Sequence, residues 1–212
     1  MKKVTAAVLV LCLAYATVRY NLFQGVAWSD WPLFILNKAC SAASILLLLL
    51  SAVYKRRGLA QAAAELLGDS FTLALLHVGF SYAILSPAYF QGLFAGPKLT
   101  VAGNLCILAG VSALVVYFRR RSDLGALAAL LGLHVLVLGY ARWFTPAGWP
   151  GYMPPISLIS FLAAFAVFAV KNRRRAPERS AFGPRREPLG TESRFRHSPV
   201  TAPEPILEAG QS

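Results

Sequence analysis

The chain has 212 residues, of which 57% are hydrophobic and only 14% are charged. This composition is too apolar for an ordinary soluble domain. The formal net charge is +12, but the basic residues stand in short clusters between apolar stretches and form no extended basic patch. Nucleic acid is therefore not expected as a partner, whereas a lipid bilayer is.

Six apolar stretches approach or reach the length that crosses a membrane. They are Val4–Phe23, Pro32–Tyr54, Gly68–Phe90, Leu99–Phe118, Leu124–Phe144 and Pro155–Val170. Backbone amides inside lipid must be satisfied within the segment, which makes each stretch a helix. The sequence predicts an all-α integral membrane bundle of six transmembrane helices over residues 1–171.

The positions of the charges predict the orientation of the bundle. One set of helix ends carries Lys2, Lys3, Lys55, Arg56, Arg57, Arg119, Arg120, Arg121, Lys171, Arg173, Arg174 and Arg175. The opposite ends carry only Arg19, Lys38, Lys98 and Arg142, and all four tryptophans lie there. By the positive-inside rule, both termini are expected in the cytoplasm, with half of an aromatic belt at the outer interface.

Two segments have alternative interpretations. Lys2 and Lys3, an apolar stretch and the Ala14–Ala16 triplet resemble a cleavable signal peptide. Arg19 follows at once, however, and the apolar stretch reaches Phe23, so a retained helix is favoured. Residues 59–67 fit either a short interfacial helix or an extension of the third span.

From residue 172 onward Arg, Pro, Glu, Ser and Gly dominate without apolar periodicity. Residues 172–212 are predicted to be a disordered basic cytoplasmic tail that meets anionic headgroups. Cys12, Cys40 and Cys106 lie within spans and are odd in number, so they are expected to be small apolar fillers, not disulfides.

His77 and His134 are ionisable residues inside the third and fifth spans, where an imidazole is costly unless something binds it. Both spans run in the same direction. His77 follows Asp69 by eight residues and His134 follows Asp123 by eleven, so their depths differ by about 4.5 Å at 1.5 Å per residue. Two imidazoles at one level on neighbouring helices fit the two axial ligands of one haem.

The residues around this pair leave several choices open. Small residues near the histidines (Ala74, Gly79, Gly125, Gly132 and Gly139) could accommodate a flat macrocycle or simply pack helices. The second nitrogen of His77 could bond to Ser81, to Tyr82 or to a backbone carbonyl. Lys38 and Arg142 are candidate propionate partners, although snorkelling to the interface is the favoured explanation.

Two functions of other classes compete with a haem protein. A small ion-coupled transporter could use both histidines as proton or metal groups. It would be expected to show an inverted repeat or paired broken helices, and neither is evident. In a non-catalytic membrane scaffold, each histidine would make an interhelical hydrogen bond.

The third span, with Leu76-His77 followed by Ser81-Tyr82, resembles the membrane subunit of bacterial methionine sulfoxide reductase. The second span, with residues 36–39 and the basic cluster 55–57, is similar to the second helix of the same family, the ferric reductase-like transmembrane domain. The resemblance implies a six-helix haem b protein of the bacterial inner membrane that takes part in an oxidoreductase.

The departures from the family pattern limit what this chain could bind. Members with two haems have a second histidine thirteen or fourteen residues after the first in both helices. Here Phe90 and Gln91 follow His77 at that spacing, and Ala147 and Gly148 follow His134. One haem b, held by His77 and His134, is therefore expected.

Residues 172–212 have no glycine-rich dinucleotide loop and are too few to form a flavin or nicotinamide domain. Electrons would come from a separate donor, a quinol or a flavoprotein, and would pass to a separate acceptor. Whether the chain is itself an enzyme stays open at this point.

Overall fold

The structure is a computed structural model that describes residues 1–119 and 123–172. Apart from residue 172, the predicted tail lies outside the described residues. The described part contains six helices that are long and apolar enough to cross a membrane, which indicates an integral membrane protein. Its one small sheet pairs Phe94–Ala95 (β1) with Lys98–Leu99 (β2) in antiparallel register.

The helices follow one another in a simple order. They are α1 (Lys2–Thr17), α2 (Leu36–Arg56), α3 (Ala60–Ala83), α4 (Val101–Arg119), α5 (Leu124–Trp143) and α6 (Ile156–Asn172). A wider π-helical turn continues α1 over Val18–Phe23, and another precedes α2 over Trp31–Ile35. Short 3-10 turns lie at Trp28–Asp30, Gln91–Leu93, Pro146–Gly148 and Pro150–Tyr152.

The third helix differs most from the predicted span. It begins at Ala60, so residues 60–67 extend the span and form no separate interfacial helix. It ends at Ala83 and does not reach Phe90 as predicted. Pro87 explains this end, because proline lacks the backbone N–H that continues a helix and disfavours helical conformation in the residue before it.

The second helix is the centre of the bundle. It packs along α1, α3 and α6, and its Ala39, Ala43, Leu47 and Leu48 are fully buried. Its serine-rich face comes close to α3. The hydroxyl of Ser51 donates to the carbonyl of Ala63 at 2.7 Å. The small side chains let the backbones approach, and the hydroxyl groups bond across the contact.

The glycine series of the fifth helix serves helix packing. A Cβ at Gly139 would collide with Ser157 and Trp143, one at Gly125 would meet Lys171, and one at Gly132 would touch Ala164. Ser157, Ala164 and Lys171 all belong to α6. Gly125 and Gly139 therefore let α5 and α6 approach each other, and Gly132 faces α6 at an ordinary contact distance.

Polar contacts tie both ends of the bundle. At the end that carries the basic clusters (the basic end), the amino terminus pairs with Glu65 at 3.0 Å, and Lys171 pairs with Asp123 at 2.8 Å. At the end that carries the tryptophans (the tryptophan end), buried Arg19 donates to the carbonyl of Met153. The first helix is thus packed into the bundle at both of its ends.

The tryptophans do not all serve as interfacial residues. Trp28 is exposed, whereas Trp143 is buried, packs on Phe161 and donates its indole N–H to Ser157 at 3.0 Å. Trp143 is therefore part of the α5–α6 contact and not of the predicted aromatic belt.

Substitution of Gly139 by alanine should destabilise the bundle, because the new Cβ displaces Ser157 and the Trp143 indole. Overpacking of this kind costs about 1–3 kcal/mol. The matched control is Gly79→Ala in α3, where no atom lies within 4 Å of the added Cβ. Thermal unfolding in detergent should show a lower Tm for the first variant only, and equal Tm values would contradict the α5–α6 packing.

The Lys171 ammonium and the Ala126 amide both bond to the Asp123 carboxylate, which lowers its pKa. A lowered pKa contributes stability that is present above the unfolded value, about 3.9, and is lost as pH falls through the folded value. Asp123→Asn keeps a helix-capping side chain but removes the charge. The Tm difference from wild type should shrink as pH falls from 7 to 3, whereas a constant difference would exclude the ion pair.

Candidate functional site

A cavity of about 210 Å³ lies between α3 and α4, against α2 and α5. Within the described ranges, α3 packs closely along α2 but not along α4 or α5. The cavity opens toward the outside of the bundle between exposed apolar residues, Val78, Ile107 and Val111 among them. The third helix is therefore held in place by α2, and an open space remains on its other side.

Small side chains form much of the cavity wall. They are Ser41, Ser44, Ala74, Gly110 and Ala113. On α4 the lining runs from Ile107 to Tyr117, a rise of about 15 Å at 1.5 Å per residue. The cavity is therefore tall along the helix axes and mostly apolar.

Aromatic contacts between α3 and α4 close the cavity at the basic end. The Phe71 ring contacts those of Tyr117 and Phe118 at centroid distances of 5.3 and 4.8 Å. Ser70 donates to the carbonyl of Ser44 at 2.8 Å, so the Tyr117 hydroxyl, 2.7 Å from Ser70 Oγ, is the donor in that pair. This fully bonded set joins α2, α3 and α4 below the cavity.

His77 and His134 both line this cavity. Their ring centroids are 6.2 Å apart and their planes are inclined at 82°. The sequence prediction that the two rings lie at a common level is in agreement with this distance. The structure brings together the two residues predicted to form the site, on α3 and α5.

Within the described residues, the His77 ring makes its hydrogen bonds through Nδ1. The nearest acceptor is Oδ1 of Asn37 at 2.5 Å, and the backbone carbonyl of Asn37 lies at 3.2 Å. Ser81 also donates to Asn37 Oδ1 at 3.0 Å. An amide oxygen only accepts, so Nδ1 of His77 carries the proton and Nε2 keeps its lone pair.

His134 is oriented by the fourth helix. Its Nδ1 lies 2.8 Å from the backbone carbonyl of Cys106 and 3.3 Å from the Cys106 sulfur. The carbonyl only accepts, so this Nδ1 also carries the proton. Nε2 of His134 is buried and has no hydrogen-bond partner within the described ranges. Both rings therefore have the neutral tautomer in which Nε2 can act as a metal ligand.

Three residues of this site were not among the predicted ligand neighbours. Asn37 is fully buried. Its polar side chain within an apolar helix is the sequence signal that could have identified it. Cys106 was expected to be a filler, yet its carbonyl binds His134. A Cβ at Gly110 would lie 3.1 Å from Nδ1 of His134, so glycine leaves the room that this ring occupies.

Other candidate residues lie at the edge of the site. The Lys38 ammonium lies 5.1 Å from the ring centroids of both Phe34 and Phe90, an arrangement typical of a cation–π contact. Arg142 is exposed at the tryptophan end. Tyr82 lines the cavity mouth and is 83% exposed. Of the two side chains predicted to assist His77, Ser81 is the one that contacts it, at 3.4 Å.

The distance between the rings fits a shared metal. An imidazole–metal bond of about 2.0–2.1 Å and a distance of about 1.1 Å from ring centre to nitrogen place two opposed imidazoles at a centroid separation of about 6.3 Å. The observed separation is 6.2 Å. The Nδ1 contacts to carbonyl oxygens are those that commonly orient metal-bound histidines.

No protein-family model matches the chain, and no curated protein matches it in sequence. The resemblance to the ferric reductase-like transmembrane domain therefore stays a prediction from the sequence. The function is inferred from the geometry of the site.

Proposed function

We propose that this protein is a membrane cytochrome b-like electron carrier that holds one haem between His77 and His134. The observation that carries the proposal is the pair of imidazoles 6.2 Å apart at one cavity, each with its Nδ1 against a carbonyl oxygen of the protein. Each ring has its lone pair on Nε2, and that of His134 is buried without a partner among the described residues.

A set of only two protein ligands favours a metal that is already bound by a cofactor. In the described part of the chain, no third His, Cys, Asp or Glu joins the pair to form a metal-binding group. A bare ion would have only two protein ligands, whereas structural zinc prefers four. A haem supplies four ring nitrogens, and with two axial histidines it performs one-electron transfer.

The cavity supports the same cofactor. It is tall and mostly apolar, and small residues of α2, α3 and α4 form part of its wall. A tetrapyrrole is flat, and small residues let such a ring approach the helix backbone. The opening between α3 and α4 gives a wide, flat molecule a lateral route into the bundle.

The position of the histidines predicts where electrons leave or enter. His77 lies six residues before the end of α3 at Ala83, about 9 Å from the tryptophan end at 1.5 Å per residue. The start of α3 at Ala60 is about 26 Å away. The shorter exchange path opens at the tryptophan end, which the positive-inside rule predicts to be the outer, non-cytoplasmic end. An acceptor protein docks there in this proposal, and a quinol or a flavoprotein is the donor.

The purified protein should carry a Soret band, and either His77→Ala or His134→Ala should abolish or strongly reduce it. Each substitution removes one axial ligand. His197→Ala is the matched control, because this remaining histidine of the sequence belongs to the polar tail. Haem content per chain is measured by absorbance after identical expression and purification.

A colourless wild-type protein from haem-sufficient cells would contradict the proposal. Unchanged spectra in both variants would do the same. pH-dependent ion flux in haem-free proteoliposomes would instead favour the transporter that uses the same histidines.

Gly110→Ala should perturb the bound haem, because the added Cβ lies 3.1 Å from Nδ1 and 3.3 Å from Cε1 of His134. The ring must move by a few tenths of an ångström, and haem content should fall. Gly132→Ala is the matched control on α5, since its Cβ meets only ordinary contacts at 3.9 Å or more. Equal haem content in the two variants would show that Gly110 does not position the ligand.

A further inference from the structure

We infer that Asn37 is a positioning residue that controls the electron donation of His77 to the haem iron. The inference rests on the proposed function and adds one residue of α2 to it. Asn37 acts through its amide oxygen on the far nitrogen of the ligand and touches no reacting atom.

The contacts of Asn37 are unusual for a side chain in an apolar helix. It is 0% exposed, and its Oδ1 accepts from both His77 and Ser81, at 2.5 and 3.0 Å. These two donors are one helical turn apart on α3, so a single oxygen orients that face of the helix. The position of the His77 ring is fixed from α2, the helix against which α3 packs most closely.

The other half of the amide is not satisfied. Nδ2 of Asn37 is buried and has no hydrogen-bond partner within the described residues. A buried donor without a partner destabilises the folded state. An apolar side chain of similar shape would avoid this cost, so fold stability alone does not explain an asparagine at this position. The hydrogen bond to His77 explains it.

The two ligands are held in different ways. His134 bonds to the backbone carbonyl of Cys106, which substitution cannot change, whereas His77 bonds to a side-chain oxygen. The backbone carbonyl of Asn37 lies farther from His77 Nδ1, at 3.2 Å. Loss of the amide would therefore leave His77 with a weaker carbonyl acceptor and the same tautomer.

Opposite substitutions should move the midpoint potential in opposite directions. A stronger acceptor at Nδ1 raises the basicity of the imidazole and favours ferric iron. Asn37→Leu weakens the acceptor, so the potential should rise. Ser81→Ala removes the competing donor from Oδ1 and leaves it to His77 alone, so the potential should fall. A net hydrogen bond of about 1 kcal/mol predicts changes of about two- to tenfold in the reduction equilibrium, or about 20–60 mV.

The experiment is a redox titration of the purified full-length holoprotein, followed by the haem absorbance. Ser51→Ala is the matched control, because it removes another buried hydroxyl that joins α2 to α3, at Ala63 and away from the cavity. Its potential should stay at the wild-type value. A purely structural role of Asn37 predicts no opposite shifts in the Asn37→Leu and Ser81→Ala variants.

Unchanged potentials in both test variants, or shifts of the same sign, would overturn the inference while leaving the haem proposal intact. If Asn37→Leu binds no haem, Ser81→Ala decides alone: a lower potential supports the inference, and an unchanged or higher one overturns it. A wild-type protein without haem would contradict the proposed function itself, before any variant is compared.

Discussion

The site depends on two hydrogen bonds that fix the protons of two half-buried imidazoles. Nδ1 of His77 donates to Asn37 and Nδ1 of His134 donates to the backbone of Cys106. Both lone pairs are thereby placed on Nε2, and that of His134 is buried without a hydrogen-bond partner among the described residues. Burying an acceptor without a partner is costly in any apolar medium. The proposed metal between the rings would remove that cost at Nε2 of His134 and would also bind Nε2 of His77.

Helix packing produces the space in which these lone pairs lie. The second helix holds α3 through serine hydroxyl groups and Asn37, and α5 is packed closely on α6 at Gly125 and Gly139. The third helix therefore needs no close contact with α4 or α5 to stay in place. Its contact with α4 at the basic end, through Phe71 and Tyr117, closes the cavity below the histidines.

Much of this arrangement follows from the sequence. Membrane-length apolar stretches locate six helices, and counting residues from Asp69 and Asp123 places His77 and His134 at one level. Helix ends are less certain: residues 60–67 continue α3, and Pro87 ends its apolar stretch early. Helix ends depend on local backbone conformation, such as that imposed by Pro87, and hydropathy contains no information about it.

The partners of the histidines were harder to predict. Asn37 lies forty positions before His77 and contacts it only because α2 and α3 pack closely. Cys106 accepts a hydrogen bond from His134 through its backbone carbonyl. Such a contact cannot be predicted from the types of the side chains. The glycines of α5 were ambiguous, since small residues serve both a cofactor and a neighbouring helix, and only the position of α6 decides between these uses.

The most direct test of the central claim is low-temperature electron paramagnetic resonance of the oxidised wild-type protein. Two axial imidazoles with nearly perpendicular planes, here inclined at 82°, make the iron dπ orbitals almost degenerate. A haem shared by these rings predicts a strongly anisotropic low-spin ferric signal. A high-spin signal, typical of iron with one axial histidine, would show that the two rings do not share a haem.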